Sequence, residues 1–180
     1  ESAEPKNLLP IAQPITGKLV KWVLLTPVLF PRIGEHPGGW LPSWICPSTG
    51  EVKLLDGPGK NKAKRAGCQQ GQPIQANLVA ACIPKPIALS GWSERLDAAK
   101  GVGEKDNIGP RATQLAVPAG AVYYFEAPDN VHAQKLAEAL NWHSSPSFTR
   151  RSTLLGEKGL GLGVCATWKP LDDPPHPSHP

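Results

Sequence analysis

An α+β fold, with a mostly antiparallel sheet, one clear helix and a long irregular insert, follows from three features of the 180-residue sequence. Apolar runs of strand length recur along the chain and several are closed by proline. One stretch, after Pro128-Asp129-Asn130, repeats its apolar residues with helical spacing. Proline and glycine are abundant, at 21 and 18 residues, against 40% hydrophobic residues, which describes strands and long loops instead of a helical bundle.

In chain order, residues 1–17 carry Pro5, Pro10 and Pro14 and form an extended lead-in. Leu19 to Thr26 is the first strand, stopped by Pro27. From about residue 30 to 75 the chain is irregular, with Pro31, Pro37-Gly38-Gly39, Pro42, Pro47 and Gly50, and only Val52 to Leu55 suggests a short strand. A structureless loop of that length is unusual in a compact domain and is usually functional or partly disordered. Inside it, Pro58 to Arg65 is basic, with Lys60, Lys62, Lys64 and Arg65, and is expected as a flexible solvated arm or one that orders on phosphates.

Leu78 to Ile83 is expected as a buried strand ending at Pro84, and Ile87 to Trp92 continues extended past Pro86. Residues 93–110 form an exposed loop. Arg111 to Val117, a turn at Pro118-Ala119-Gly120, and Ala121 to Glu126 make a strand, turn and strand. In the helix that follows, Asp129 or Asn130 caps the first turn. Ala133, Leu136, Ala137 and Leu140 form one apolar stripe. The helix ends by Ser144-Ser145-Pro146. In the last strand, period two puts Leu160, Leu162, Val164, Ala166 and Trp168 on the buried face and leaves Gly159, Gly161, Gly163, Cys165 and Thr167 facing a partner. Residues 171–180 are a solvated, disordered tail. The order suggests a ferredoxin-like (RRM-like) unit over 18–170 whose first helix is replaced or obscured by the insert.

Net charge is +4, which permits a polyanionic partner without requiring one. Cys46, Cys68, Cys82 and Cys165 lack the close spacing of zinc or redox pairs, and Cys82 and Cys165 are expected in the core. No metal and no cofactor is expected. No apolar run reaches transmembrane length, no signal pattern opens the chain, and a cytoplasmic protein is the expectation. The chain has no methionine, which suggests a piece of a longer protein.

The chemistry concentrates near the C-terminus. Gly156, Gly159, Gly161 and Gly163 follow Arg150-Arg151 and flank Lys158. Neither GxxxxGK[ST] nor GxGxxG occurs, and no helix follows the cluster, so a nucleotide-binding loop is excluded. Two readings remain level on composition: backbone amides and cations that grip phosphates, or glycines that admit close helix–strand packing. Of the histidines, His36, beside Glu35 in the insert, is the one placed like a loop catalyst; His132 opens the helix, His143 sits near its end, and His176 and His179 lie in the tail. Trp22 and Trp168 are expected in the core; Trp40, Trp44 and Trp92 are loop anchors, subunit contacts or base-stacking platforms.

The Leu155 to Gly163 segment resembles the glycine-rich loop of the RAMP proteins of CRISPR systems. Val23 to Pro27, Gly38 to Pro42, Ala80 to Trp92 and Arg111 to Phe125, in that order, are similar to the third subunit of the Cmr (type III-B) effector complex. The resemblance implies a C-terminal RAMP domain without catalysis of its own. It implies a scaffold that holds the 5′ tag of the guide RNA and docks the large polymerase-like subunit and the first backbone subunit. On that resemblance the RNA-binding residues are Gly156, Lys158, Gly159, Gly161, Gly163, Arg150 and Arg151, with Lys60, Lys62, Lys64 and Arg65 as a second basic element. The rival within the same superfamily is a repeat-cleaving endoribonuclease using His36 as general base.

Overall fold

A computed structural model describes residues 15–57, 59–93, 109–110, 113–141 and 159–170. Four strands make the main sheet: β1 (Leu19–Leu24), β2 (Asn77–Cys82), β7 (Val122–Glu126) and β8 (Gly163–Thr167). Their spatial order is β2-β7-β1-β8 and every pairing is antiparallel. The fold is therefore α+β with a mostly antiparallel sheet. Between β2 and β7 the chain runs out and back as a ribbon: β3 (Ile87–Leu89) pairs with β6 (Gln114–Ala116), and β4 (Trp92–Ser93) with β5 (Gly109–Pro110). Expectations for 1–14, 58, 94–108, 111–112, 142–158 and 171–180 lie outside the described residues.

One face of the sheet carries the core. Val20, Trp22 and Leu24 of β1, Tyr123 and Phe125 of β7, and Gly163 and Cys165 of β8 are buried, and the register pairs Trp22 with both Tyr123 and Cys165. Helix α2 (Asn130–Leu140) lies against β1 and β8. Asp129 caps it by accepting the His132 amide at 2.8 Å, and its expected stripe of Ala133, Leu136, Ala137 and Leu140 is buried together with Ala139.

The insert closes the rest of that face. Trp44 packs between Trp22 and Phe125, with ring centroids 5.9 and 6.1 Å away, and Phe30 meets Tyr123 edge-on. Tyr123 donates its hydroxyl to Trp40 O at 2.6 Å, and burial raises its phenol pKa. Backbone bridges such as Val28 to Val117, Phe30 to Gly39 and Ile45 to Val52 stitch the segment together. The insert is thus part of the core, because Phe30, Leu41, Ile45, Val52, Leu54 and Ile74 are all buried. Its expected strand at Val52 to Leu55 amounts to isolated bridges at Val52 and Leu55.

Three expectations are corrected. β2 is exposed, not buried, and Cys82 with it, because β2 is an edge of the sheet and the insert reaches only its start, at Asn77 and Leu78. The basic stretch expected as a flexible arm is a short helix, α1 (Lys60–Ala66), anchored by buried Ala63 and ended by Gly67 in the left-handed conformation. In β8 the faces are reversed. Gly163 and Cys165 point inward while Val164 and Ala166 are half-buried on the outer face, and Trp168 meets Tyr124 edge-on at 5.1 Å instead of joining the core. The reason is volume: the Trp22 ring and the Val23 carbonyl lie against Gly163 and leave no room for a Cβ there, while the small Cys165 fits opposite Trp22.

Candidate nucleic-acid interface

The glycine turn is hooked onto the end of β1. Thr26 donates its hydroxyl to Gly159 O at 2.8 Å and accepts the Leu162 amide at 3.0 Å. The Gly161 amide donates to Pro27 O and the Leu25 amide to Leu162 O, both at 2.9 Å. Gly159 and Gly161 have φ of +85° and +80°, which L side chains rarely adopt, so the turn itself requires glycine there. Gly163 needs glycine for another reason: a Cβ would fall 2.7 Å from Trp22 Cε2 and 2.8 Å from Val23 O. Its inward face is packing surface and is not open to a partner.

This geometry narrows what the turn can offer an anion. The Gly161 and Leu162 amides are already donated within the chain, whereas those of Gly159 and Leu160 have no partner among the described residues. Arg150, Arg151, Gly156 and Lys158 lie outside the described residues. Thr26 was missed by sequence reasoning, and its signal was the Thr-Pro pair that ends the strand.

The second basic element is presented on a closed loop. The backbones of Gly57 and Gly71 cross so closely that a Cβ on Gly71 would overlap Gly57. The Asp56 amide donates to Gln72 O at 2.9 Å, and Asp56 Oδ1 accepts the Gln72 amide at 2.6 Å. Asp56 also pairs with Lys135 of α2 at 2.9 Å, and this ammonium, then the Gln72 amide, holds its carboxyl below the usual range. Beyond this neck, Lys60, Lys64 and Arg65 are exposed and have no carboxylate partner among the described residues, and Lys62 lies on the same helix. Lys64 and Arg65 sit in the last turn, where the helix dipole favours cations.

The histidine expected as a possible loop catalyst is engaged on both ring nitrogens. His36 Nδ1 accepts the Gly38 amide at 3.1 Å, so Nε2 carries the proton and donates to Ile45 O at 3.0 Å. The ring is a brace between two parts of the insert and keeps no lone pair for a ribose hydroxyl. His132 interacts with the capping Asp129 at 3.0 Å. His143, His176 and His179 lie outside the described residues. Trp44 is a core anchor, whereas Trp40 is 52% exposed beside the Gly38-Gly39 turn. Among the described residues no three His, Cys, Asp or Glu side chains cluster as a metal site would need. A cleft of about 500 Å³ lined by Lys18, Thr49, Glu51, Asn77 and Glu126 is mixed in charge, with Lys18 paired to Glu126 at 2.8 Å.

Among the described residues no helix is long and apolar enough to cross a membrane. No curated protein and no solved structure matched the chain. The sequence model of the family described as CRISPR-associated protein (Cas_Cmr3) matches residues 8–168, which takes in the whole sheet, the insert and the glycine turn. By that match the chain belongs to the Cas_Cmr3 family, subunits of the Cmr complex of type III-B CRISPR defence.

Proposed function

We propose that this chain is a non-catalytic, RNA-binding scaffold of the Cmr effector complex in antiviral defence, working in the cytoplasm. In this reading it holds the 5′ tag of the guide RNA and docks the large polymerase-like subunit and the first backbone subunit. The four main strands, numbered by their order in the chain, stand in the spatial order 2-3-1-4, which supports a ferredoxin-like RAMP domain with the insert in place of the first helix.

The observation that carries the reading is the display of α1: exposed cations without carboxylate partners among the described residues, held on a tight neck in a chain of this family. Unpaired surface cations are what a phosphate backbone recruits. The glycine turn supplies the second contact through the Gly159 and Leu160 amides, with Arg150, Arg151, Gly156 and Lys158 beside them in sequence. Gly163 acts indirectly, by letting the turn lie flat on Trp22. The occupied ring of His36 supports a scaffold over an endoribonuclease.

The test is guide-RNA retention by the reconstituted complex. Replacing Lys60, Lys64 and Arg65 with alanine is expected to weaken retention. It should also lower the salt dependence of log K by about 2, since each phosphate neutralised on a single strand contributes roughly 0.7 to the slope. Unchanged retention and slope, both in that variant and in Arg150→Ala/Arg151→Ala/Lys158→Ala, would refute RNA binding by these elements.

A further inference from the structure

The arms of the ribbon next to the sheet, 77–93 going out and 113–125 coming back, are apolar, nearly uncharged and partly exposed. Val79 is 48% exposed, Ile87 36% and Leu115 63%. From Asn77 to Ser93 and from Thr113 to Phe125 the sole charged residue is Lys85. Five of the six β2 residues are exposed.

β2 also leaves backbone groups unpaired. β7 takes one side of it. On the other side the insert pins only its start, through the Leu78 amide on Gly50 O at 2.8 Å and the bridge from Glu51 to Asn77. From Val79 to Cys82 that outer edge has no partner among the described residues. Natural sheets guard such edges with lysines, bulges and prolines. Here a bulge at Val79 and the prolines 84 and 86 limit the open stretch to four residues, and no charge guards those four.

We infer that the β2 edge is a docking site for an extended apolar segment of another protein subunit, which adds as a strand alongside Val79–Cys82. The row of unpaired amides and carbonyls recognises extended backbone, and the small side chains of Ala80, Ala81 and Cys82 let it approach. RNA does not suit this surface, because one lysine cannot neutralise a phosphate chain. The inference rests on the reading of the chain as a docking subunit and is independent of its RNA contacts.

The test is amide hydrogen exchange on the chain alone and in the complex reconstituted with the remaining Cmr subunits, with and without ribonuclease treatment. The outward amides within Val79–Cys82 are expected to exchange at least tenfold more slowly in the complex, and to stay protected after ribonuclease. Val79→Glu/Ala81→Glu, with unchanged far-ultraviolet circular dichroism, is expected to join the complex at least tenfold more weakly. Equal exchange in a complex that does contain the chain overturns the inference and leaves the docking reading standing. Failure of the wild-type chain to join the complex overturns both. Protection by self-association of the chain alone, with no further protection in the complex, also overturns it, as does protection that ribonuclease removes.

Discussion

Gly163→Ala tests the reversed face of β8 most sharply. The added methyl would meet Trp22 Nε1 and lie 2.7 Å from Cε2 of the same ring and 2.8 Å from Val23 O. Neither neighbour can yield easily. Val23 O belongs to the central strand, and Trp22 is fully buried against Trp44 and Tyr123 at centroid distances of 5.9 and 5.6 Å. A buried tryptophan of about 200 Å² accounts for roughly 5 kcal/mol of gross hydrophobic transfer, part of which is lost when the ring must move. Overpacking a tight core typically costs 1–3 kcal/mol, and a site with a rigid backbone wall belongs at the upper end, about 3 kcal/mol. For a chain of this size that corresponds to a fall in melting temperature of roughly 6–12 °C. The assay is urea unfolding followed by tryptophan fluorescence. A double-mutant cycle with Trp22→Phe, which removes the clashing ring atoms and leaves the Val23 carbonyl, is expected to show coupling of about 1–2 kcal/mol. A Gly163→Ala midpoint equal to wild type, or strict additivity in the cycle, would refute the inward assignment.

Other outcomes follow from the same geometry. His36→Ala removes the brace between Gly38 and Ile45 and is expected to cost about 1–3 kcal/mol in urea denaturation; a midpoint equal to wild type would contradict the structural role. Lys135 and the Gln72 amide hold the Asp56 carboxyl below the usual range, and the His132 amide, then its ring, does so for Asp129. Their contribution is therefore present above about pH 4 and lost as pH falls through the lower folded values, so Asp56→Asn and Asp129→Asn should flatten the urea midpoint between pH 5 and pH 2. Ser48, then Thr49, hydrogen-bonds Cys46 and draws its thiol down to about 6. More of it is then thiolate at pH 7 than of an ordinary cysteine, and iodoacetamide should label it well before the exposed Cys68 and Cys82; equal rates at all three would contradict this.

Much of the fold was legible because it rests on local patterns. Strand β1, the helix with its Asp129 cap and four-residue stripe, and β7 all follow from apolar spacing and turn residues. Period two identifies two faces but not which one meets the core, and for β8 the larger side chains misled. The deciding fact was the bulk of Trp22 on a strand far away in sequence. For β2, Pro84 and Pro86 carried the missing signal, since proline beside an apolar run marks an edge. The insert hid its order because its bridges join residues well apart in sequence, such as Leu55 with Pro73 and Glu51 with Asn77. At the candidate site, the basic stretch and the glycines were visible as residue types. Neither the neck at Gly57 and Gly71 nor the amides consumed by Thr26 and Pro27 has a signature in the sequence.

The central claim is that the chain grips guide RNA through α1 and the glycine turn. Ultraviolet RNA–protein crosslinking on the reconstituted complex, mapped by mass spectrometry, tests it most directly. The account predicts crosslinks from the 5′ tag within residues 60–65 and 150–163 and none on the β2 edge. A complex that retains its RNA yet crosslinks this chain at neither segment would contradict it.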